Sequence, residues 1–314
     1  MKIFKGLYFL FFFCAISLVL SCKPNSKGNK SRKVIPELVV DSKVKDFNRE
    51  IKSNSNTSFD SLNQIKIISW NIKDLGRTKS DDELNQISKI INVADVVLIQ
   101  EVVGKDPAGA QAVAKIADNL NRMGFKWDYS ISMPTQSPSS HMSERYAFLW
   151  KTNVLKLKSK PFLASKYKDV IYREPYVANF QIKKNNKTFS AINYHSRKHY
   201  DKPEIEIVYL KNIIEDLDNN SIIIGGDFNL NEEHEIWDLF YSNGYSNALK
   251  NTKTTIKQKC SFGKYLSHSI DNFYYTNISV SKSNSIDIVK DCDNINQSRQ
   301  LSDHLPIFMF FSVN

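Results

Sequence analysis

The chain has 314 residues, enough for one large domain or two small ones, and its 41% apolar content is that of an ordinary folded protein rather than a disordered or fibrous one. The formal net charge of +10 is unevenly spread: residues 22–59 carry nine Lys/Arg against four Asp/Glu, whereas residues 60–314 carry 32 against 29. The excess lies ahead of the body, where it keeps a linker solvated, so charge alone does not class the body as a nucleic-acid binder.

The chain opens with Lys2 and Lys5, continues in an almost wholly apolar run from Leu7 to Leu20, and reaches Ser21-Cys22. A basic start, a short apolar segment and a small residue before a cleavage point are the parts of a secretory signal. The run is shorter than the roughly 18–20 residues of a spanning helix. The Ser21-Cys22 junction resembles a bacterial lipobox. On that reading residues 1–21 are a signal peptide and Cys22 is the lipidated first residue of the mature protein. The expected location is then the bacterial cell envelope, with the protein anchored at the inner or outer membrane or secreted. An ordinary signal peptide with an incidental cysteine is the alternative. Residues 22–60, rich in Lys, Asn and Ser, read as a flexible tether, with Val34 to Val40 a short strand or docking segment. Residues 61–314 form the folded body, expected as a monomer. Its two cysteines, Cys260 and Cys292, either pair in an oxidising compartment or remain as buried thiols.

Within the body, residues 65–70 read as a strand that ends at Asn71. Ser80 to Glu83 form a capping box that opens a helix with Leu84, Ile87, Ile90 and Ile91 on one face. Residues 95–99 are a buried strand delivering Gln100 and Glu101, and a helix of residues 110–123 follows. Strands are expected at 127–132, 145–150, 177–182 and 188–194. A helix of residues 203–217 begins at Pro203, a residue suited to a first turn. A strand at 221–224, a short helix at 235–241, and strands at 270–275 and 307–312 complete the chain. Many strands with interspersed helices and no internal linker predict one α/β domain.

Polar residues recur at the ends of these apolar strands or just before new ones. They are Asn71, Glu101, Glu144, His195, Asp227, Asn229, Asp271, Asp303 and His304. Any one has an ordinary role as a turn residue, a cap or a surface partner. Nine together at strand ends point to a site, because open α/β sheets place their sites there. Gly225 and Gly226, ahead of Asp227, allow a sharp turn or a close backbone approach. Hard oxygen donors such as Glu101, Asn71 and Asp303 favour Mg²⁺, Mn²⁺ or Ca²⁺ over zinc. A histidine moves protons near neutrality, and a carboxylate beside it fixes its tautomer. The combination suggests metal-assisted attack on a phosphate.

The ordered set Asn71, Gln100-Glu101-Val102, Ser143-Glu144-Arg145-Tyr146, Arg173-Glu174-Pro175, His195-Ser196, Gly226-Asp227-Phe228-Asn229, Ile270-Asp271 and Ser302-Asp303-His304-Leu305-Pro306 resembles the endonuclease/exonuclease/phosphatase superfamily, and within it the deoxyribonuclease I branch. The resemblance covers about residues 65–312. It implies a four-layered α-β-β-α sandwich and an exported deoxyribonuclease that cleaves DNA phosphodiesters endonucleolytically with Mg²⁺, Mn²⁺ being a substitute and Ca²⁺ a stimulant. It implies Glu101 as metal ligand with Asn71 and Asp303 beside it. His195 would pair with Glu144 and His304 with Asp271 as the acid and base, while Asp227 and Asn229 orient water and bind phosphate oxygens. Arg173 would hold a phosphate and Tyr146 pack against a sugar. The alternative within the superfamily is a phosphodiesterase or phosphatase acting on RNA or on a lipid or inositol phosphate head group. One departure stands out. The arginine that follows Gln-Glu-Val in deoxyribonuclease I is Val103 here, with Lys105 two residues on, which weakens the expectation of minor-groove binding.

Overall fold

Residues 96–99, 147–150 and 222–224 are apolar without alternation, and strands of that kind need cover on both faces. The computed structural model, which describes residues 64–139 and 142–314, supplies that cover in four layers. The signal segment, Cys22 and its lipidation, the tether and the Val34–Val40 segment lie outside the described residues. Among the described residues no helix is long and apolar enough to cross a membrane.

The first sheet contains β1 (Ile65–Leu75), β2 (Val96–Val103), β3 (Trp127–Ile131), β4 (Glu144–Lys151), β14 (Ile278–Ser285) and β15 (Ile307–Val313), in the order β14-β15-β1-β2-β4-β3. The second contains β5 (Leu155–Leu157), β6 (Phe162–Leu163), β7 (Tyr176–Ile182), β8 (Thr188–His195), β9 (Ile222–Asp227), β10 (Ser246–Asn247) and β13 (Asp271–Thr276). Its order is β10-β13-β9-β8-β7-β5, with β6 on β7. A separate hairpin joins β11 (Ile256–Ser261) to β12 (Lys264–Leu266).

Side chains alternate between the layers as the pleat requires. Ile65, Ile67, Val96, Leu98, Phe148, Phe180, Phe189, Phe273 and Phe311 meet between the sheets. Ile68, Trp70, Val97, Ile99 and Leu149 point the other way, under α1 (Asp81–Ile91), α2 (Pro107–Asn121) and α6 (Ile295–Leu301). On the far side, Ile192, Tyr194, Ile222 and Ile224 pack under α3 (Glu204–Ile207), α4 (Leu210–Glu215) and α5 (Asp238–Tyr241). The expected four-layered sandwich is the fold observed.

Strand directions gather the site at one edge. The pairs β1–β2 and β8–β9 are parallel, so their C-terminal ends coincide, with Asn71 opposite Gln100 and His195 opposite Asp227. Strands β4 and β13 run antiparallel to β2 and β9, so their first residues arrive at the same edge, with Glu144 opposite Val103 and Asp271 opposite Asp227. This is why the notable polar residues fall both after strands and before them.

The capping box of α1 is present: Ser80 Oγ accepts from Glu83 N at 3.3 Å and Glu83 Oε2 accepts from Ser80 N at 2.6 Å. Helix α2 begins earlier than expected, because Asp106 accepts from Ala108 N and Pro107 fills the first turn. The single helix expected over 203–217 is two short ones. At the break Tyr209 N bonds to Glu206 O, three residues back, and Val208 N reaches Glu204 O only at 3.4 Å. The β-branched Ile205, Ile207 and Val208 are stiff neighbours for a continuous helix. Strand β14, the β11–β12 hairpin and helix α6 were not expected, since their sequences are largely polar and carry no clear period.

Cys260 and Cys292 form a disulfide with Cα atoms 5.5 Å apart and a sequence separation of 32. Closing a loop of that size constrains the unfolded chain by roughly 3–4 kcal/mol. A Cys260→Ser/Cys292→Ser double variant should lose about 2–4 kcal/mol of unfolding free energy in urea titration. Gly226 is more demanding. Its φ is +154°, and a Cβ there would sit 1.7 Å from Tyr194 O on the paired strand β8. Gly226→Ala should cost at least about 3 kcal/mol by the same titration, since neither backbone can move aside.

Candidate active site

The site rests on a buried polar layer between the sheets. Gln100 Nε2 donates to Ser69 Oγ at 3.0 Å and Asn193 Oδ1 at 2.6 Å, while Asn193 Nδ2 donates to the carbonyls of Ile99 and Ala147, both at 3.1 Å. These bonds tie the two sheets together just beneath the strand ends. Above them opens a cleft of about 1380 Å³.

Glu101 reaches the cleft through a bulge. Ile99 faces the outer helices, so Glu101 would also do so in a regular strand. The register shifts between Ile99 and Val102, Glu101 adopts φ +58°, and Val102 takes the outward position instead. Glu101 Oε1 then accepts from Asn71 Nδ2 at 3.1 Å, and Oε2 accepts from Asp74 N at 3.3 Å. Asn229 also adopts a left-handed conformation, with φ +51°. Its turn is held by Phe228, which is fully buried with its ring centroid 4.9 Å from that of Tyr274 and 5.2 Å from that of Trp237.

Two histidine–carboxylate pairs face each other across Asp227. His195 Nδ1 donates to Glu144, at 3.1 Å from Oε1 and 3.0 Å from Oε2. His304 Nδ1 donates to Asp271, at 3.1 Å from Oδ1 and 2.9 Å from Oδ2. A carboxylate can only accept, so each Nδ1 carries the proton and each Nε2 is the working nitrogen. Both point at one atom: Asp227 Oδ2 lies 3.5 Å from His195 Nε2 and 3.7 Å from His304 Nε2. The same oxygen accepts from Asn71 Nδ2 at 3.1 Å.

Burial and the Arg173 charge push the His195 pKa down, but the charge and hydrogen bond of Glu144 with the charge of Asp227 outweigh them and hold it above the ordinary value. Burial also opposes protonation of His304, yet Asp271, Asp227 and Asp303 raise it to about 10. For Asp303 burial raises the pKa, and His304, Lys73 and Arg299 more than compensate, so its carboxylate stays below the usual range.

The sequence-derived residues of strand ends and turns are all in or beside the cleft, and one of them, Tyr146, is placed otherwise than expected. Tyr146 does not meet a sugar. It is fully buried, its hydroxyl accepting from His195 N at 3.2 Å and donating to Arg173 O at 3.3 Å. The strand alternation that turns Glu144 towards the cleft also turns Tyr146 inward. Arg173 lines the cleft but is 6% exposed, and its Nε donates to His195 O at 3.0 Å and its Nη2 to Ser196 O. It clamps the chain that follows His195 with two of its five N–H groups, and its charge and remaining donors stay at the cleft. Asp303 lines the same cleft, yet its Oδ2 is paired with Lys73 Nζ at 3.0 Å.

Glu101, Asn71 and Asp303 suit a hard cation. Asn71 Oδ1 is buried without a hydrogen-bond partner, beside the Glu101 carboxylate, which is the arrangement a cation would complete. Asp227, Asp271 and His304 also bring ligand atoms within 4.8 Å of one another. There His304 Nδ1 already donates to Asp271, so this cluster behaves first as an ion pair.

Several supporting residues escaped the sequence reading. Glu206 is fully buried and accepts from Tyr172 N, Tyr194 Oη, and Arg197 N and Nε. Thr254 Oγ1 donates to Asp271 Oδ2 at 2.6 Å. Ser302 Oγ donates to Asn71 O at 2.6 Å and accepts from His304 N, so it fastens the Asp303-His304 turn to β1. A glutamate in an otherwise apolar helix face was the one available signal, at Glu206.

A sandwich of two sheets flanked by helices, with histidine–carboxylate pairs converging over strand ends, defines a phosphoester hydrolase. The sequence profile of the endonuclease/exonuclease/phosphatase family matches residues 68–304, and the chain belongs to that family, whose members are divalent-metal-dependent hydrolases of phosphoester bonds. It is similar to a protein named deoxyribonuclease from Thioalkalivibrio sp. (strain K90mix), 26% identical over 186 residues that cover 56% of this chain and 49% of the relative. The chain thus spans about half the length of that relative. Among solved structures it is similar to a mannosyl-6-phosphatase from Bacteroides thetaiotaomicron (14% identity, 79% of this chain and 99% of the other, TM-score 0.56). It is also similar to D. rerio TDP2 complexed with a single-strand DNA product (16% identity, 80% and 99%, TM-score 0.53). At those identities the likeness is one of fold.

Tyr146→Phe tests the interior placement of that hydroxyl. It should lower unfolding free energy by about 1–2 kcal/mol, the cost of two lost buried hydrogen bonds. The KM for substrate should stay unchanged, which a sugar-packing role would not allow.

Proposed function

We propose that this protein is an exported, lipid-anchored deoxyribonuclease that hydrolyses DNA phosphodiester bonds, acting as a monomer at the bacterial cell envelope. The observation that carries the reading is the convergence of His195 and His304 on Asp227 in a cleft lined by Arg173, Lys73, Lys105 and Lys198. The likeness to a protein named deoxyribonuclease supports DNA as the polymer.

Phosphodiester hydrolysis needs a base for water, an acid for the leaving oxygen and positive charge around the phosphate. One histidine takes the proton of the attacking water and the other gives a proton to the leaving oxygen. Glu144 and Asp271 hold the two rings in orientation and stabilise the imidazolium form. Asp227 lies between them and accepts from Asn71, so it is placed to orient the water. Asn229 and Arg173 line the cleft, where they would meet the phosphate oxygens. Glu101 and Asn71, with Asp303 alongside, would hold Mg²⁺ or a similar cation, whose contribution when bound is to neutralise charge on the phosphoryl oxygens.

A phosphomonoester or head-group substrate is the second reading, favoured by the fold likeness to a mannosyl-6-phosphatase. Supercoiled-plasmid nicking separates the two. The purified protein should nick plasmid with Mg²⁺ and stop with chelator. His195→Ala and His304→Ala should each lower the rate at least about 100-fold while remaining folded by circular dichroism. A folded parent that leaves plasmid intact but releases phosphate from a sugar phosphate would replace the nuclease reading.

A further inference from the structure

The β11–β12 hairpin stands at the rim of the cleft and has no part in the chemistry above. We propose that it is a docking arm for the sugar–phosphate backbone of a polynucleotide that extends out of the cleft. This rests on the polynucleotide reading of the site.

Three observations carry it. The first is charge. Residues 250–270 contain five lysines (Lys250, Lys253, Lys257, Lys259 and Lys264) and no Asp or Glu. None of the five is paired with an acidic side chain among the described residues, and all but Lys257 are exposed. Two acidic residues near the hairpin, Asp287 and Asp291, bond to Tyr265 and to backbone amides rather than to these lysines.

The second is the tip. Phe262 is fully exposed, an unusual place for a phenylalanine, and Phe262 and Gly263 have φ of +50° and +73°, as a tight hairpin turn requires. An aromatic ring in such a position can pack on a sugar or wedge at a groove edge.

The third is position and stiffness. The base of the hairpin is bound to the catalytic turn: Ile256 N donates to Asp303 O at 2.7 Å, Leu305 N donates to Thr254 O at 2.7 Å, and Arg299 Nη1 donates to Ile256 O. Ser267, His268 and Ser269, which follow β12, line the cleft itself. The Cys260–Cys292 disulfide and the packing of Tyr265 and Leu266 on the outer core fix one side of the hairpin to the body. Lys259, Phe262 and Lys264 remain free to meet a ligand. A strand of six residues reaches roughly 20 Å, a span of several nucleotides from the scissile phosphate. A small phosphomonoester held in the cleft would not touch the arm, whereas a strand leaving the cleft on the His304 side would lie along it.

The test is equilibrium binding of the full protein to a fluorescent DNA duplex long enough to overhang the cleft, in chelator and over a range of salt. The Lys257→Ala/Lys259→Ala/Lys264→Ala variant should bind about tenfold or more weakly near physiological salt, with the slope of log K against log salt reduced by about 2–3 units. A control variant with Lys156, Lys158 and Lys160 changed to Ala loses the same charge away from the cleft and should keep the parent slope. Phe262→Ser should weaken binding several-fold without changing the slope. Equal slopes for the hairpin variant and the parent, or a parent that does not bind the duplex, would overturn the proposal. So would hairpin variants that change binding to anionic phosphatidylglycerol vesicles but not to the duplex, which would make the arm a lipid-surface contact. Hairpin-dependent binding by a parent that never nicks plasmid would leave the arm standing and overturn the nuclease chemistry instead.

Discussion

Asp227 Oδ2 lies within 3.7 Å of side chains from three other parts of the fold, Asn71 at the end of β1, His195 at the end of β8 and His304 in the turn before β15. A buried carboxylate is tolerated only where neighbours compensate its charge. Here the compensation comes from a donated amide hydrogen and two imidazoles, and each imidazole in turn is held by a second carboxylate. The geometry is therefore closed on itself. Moving any one strand end would leave a buried charge without its partner, and this makes the alignment of the two sheets a condition for the site.

That alignment is supplied by layers that have nothing to do with chemistry. The inter-sheet core of Phe, Ile, Leu and Val sets the distance between the sheets. The Ser69–Gln100–Asn193 bonds then set their relative shift just below the cleft. A second tier acts on the segments that leave the strands. Glu206 gathers Tyr172, Tyr194 and Arg197, Arg173 clamps the carbonyls of His195 and Ser196, and Ser302 pins the Asp303-His304 turn to β1. Local backbone conformations that cost free energy, the left-handed Glu101 and Asn229, occur where side chains must be turned into the cleft. The surrounding packing makes those conformations sustainable.

The electrostatics divide in the same way. The interior of the cleft is rich in carboxylates, which hold imidazoles and are suited to a cation. Its margins carry Lys73, Lys105 and Lys198, and the β11–β12 hairpin extends the positive margin outward. An acidic floor with basic walls suits a polyanion whose reacting phosphate is neutralised at the centre and whose neighbouring phosphates are held at the sides.

Most of the strands, the capped helix α1 and the polar residues that gather at the cleft were legible in the sequence. The physical reason is that apolar runs, a capping box and Gly-Gly-Asp turns are local signals, legible within a few residues. The sequence also determined the family, through ordered motifs nearly all of which lie within residues 68–304, the span that the family profile matches. What each residue touches was set by the packing of the layers. Tyr146 and Arg173 were both expected to meet the substrate. Tyr146 became interior support through bonds to residues 27 and 49 positions away, and Arg173, while still lining the cleft, also clamps carbonyls 22 and 23 positions away. Polar segments such as β14 and the β11–β12 hairpin carry little apolar period, so their strands appear only when a neighbouring strand or a disulfide fixes them. Contacts of that separation are set by how the layers pack, and no window of sequence contains them.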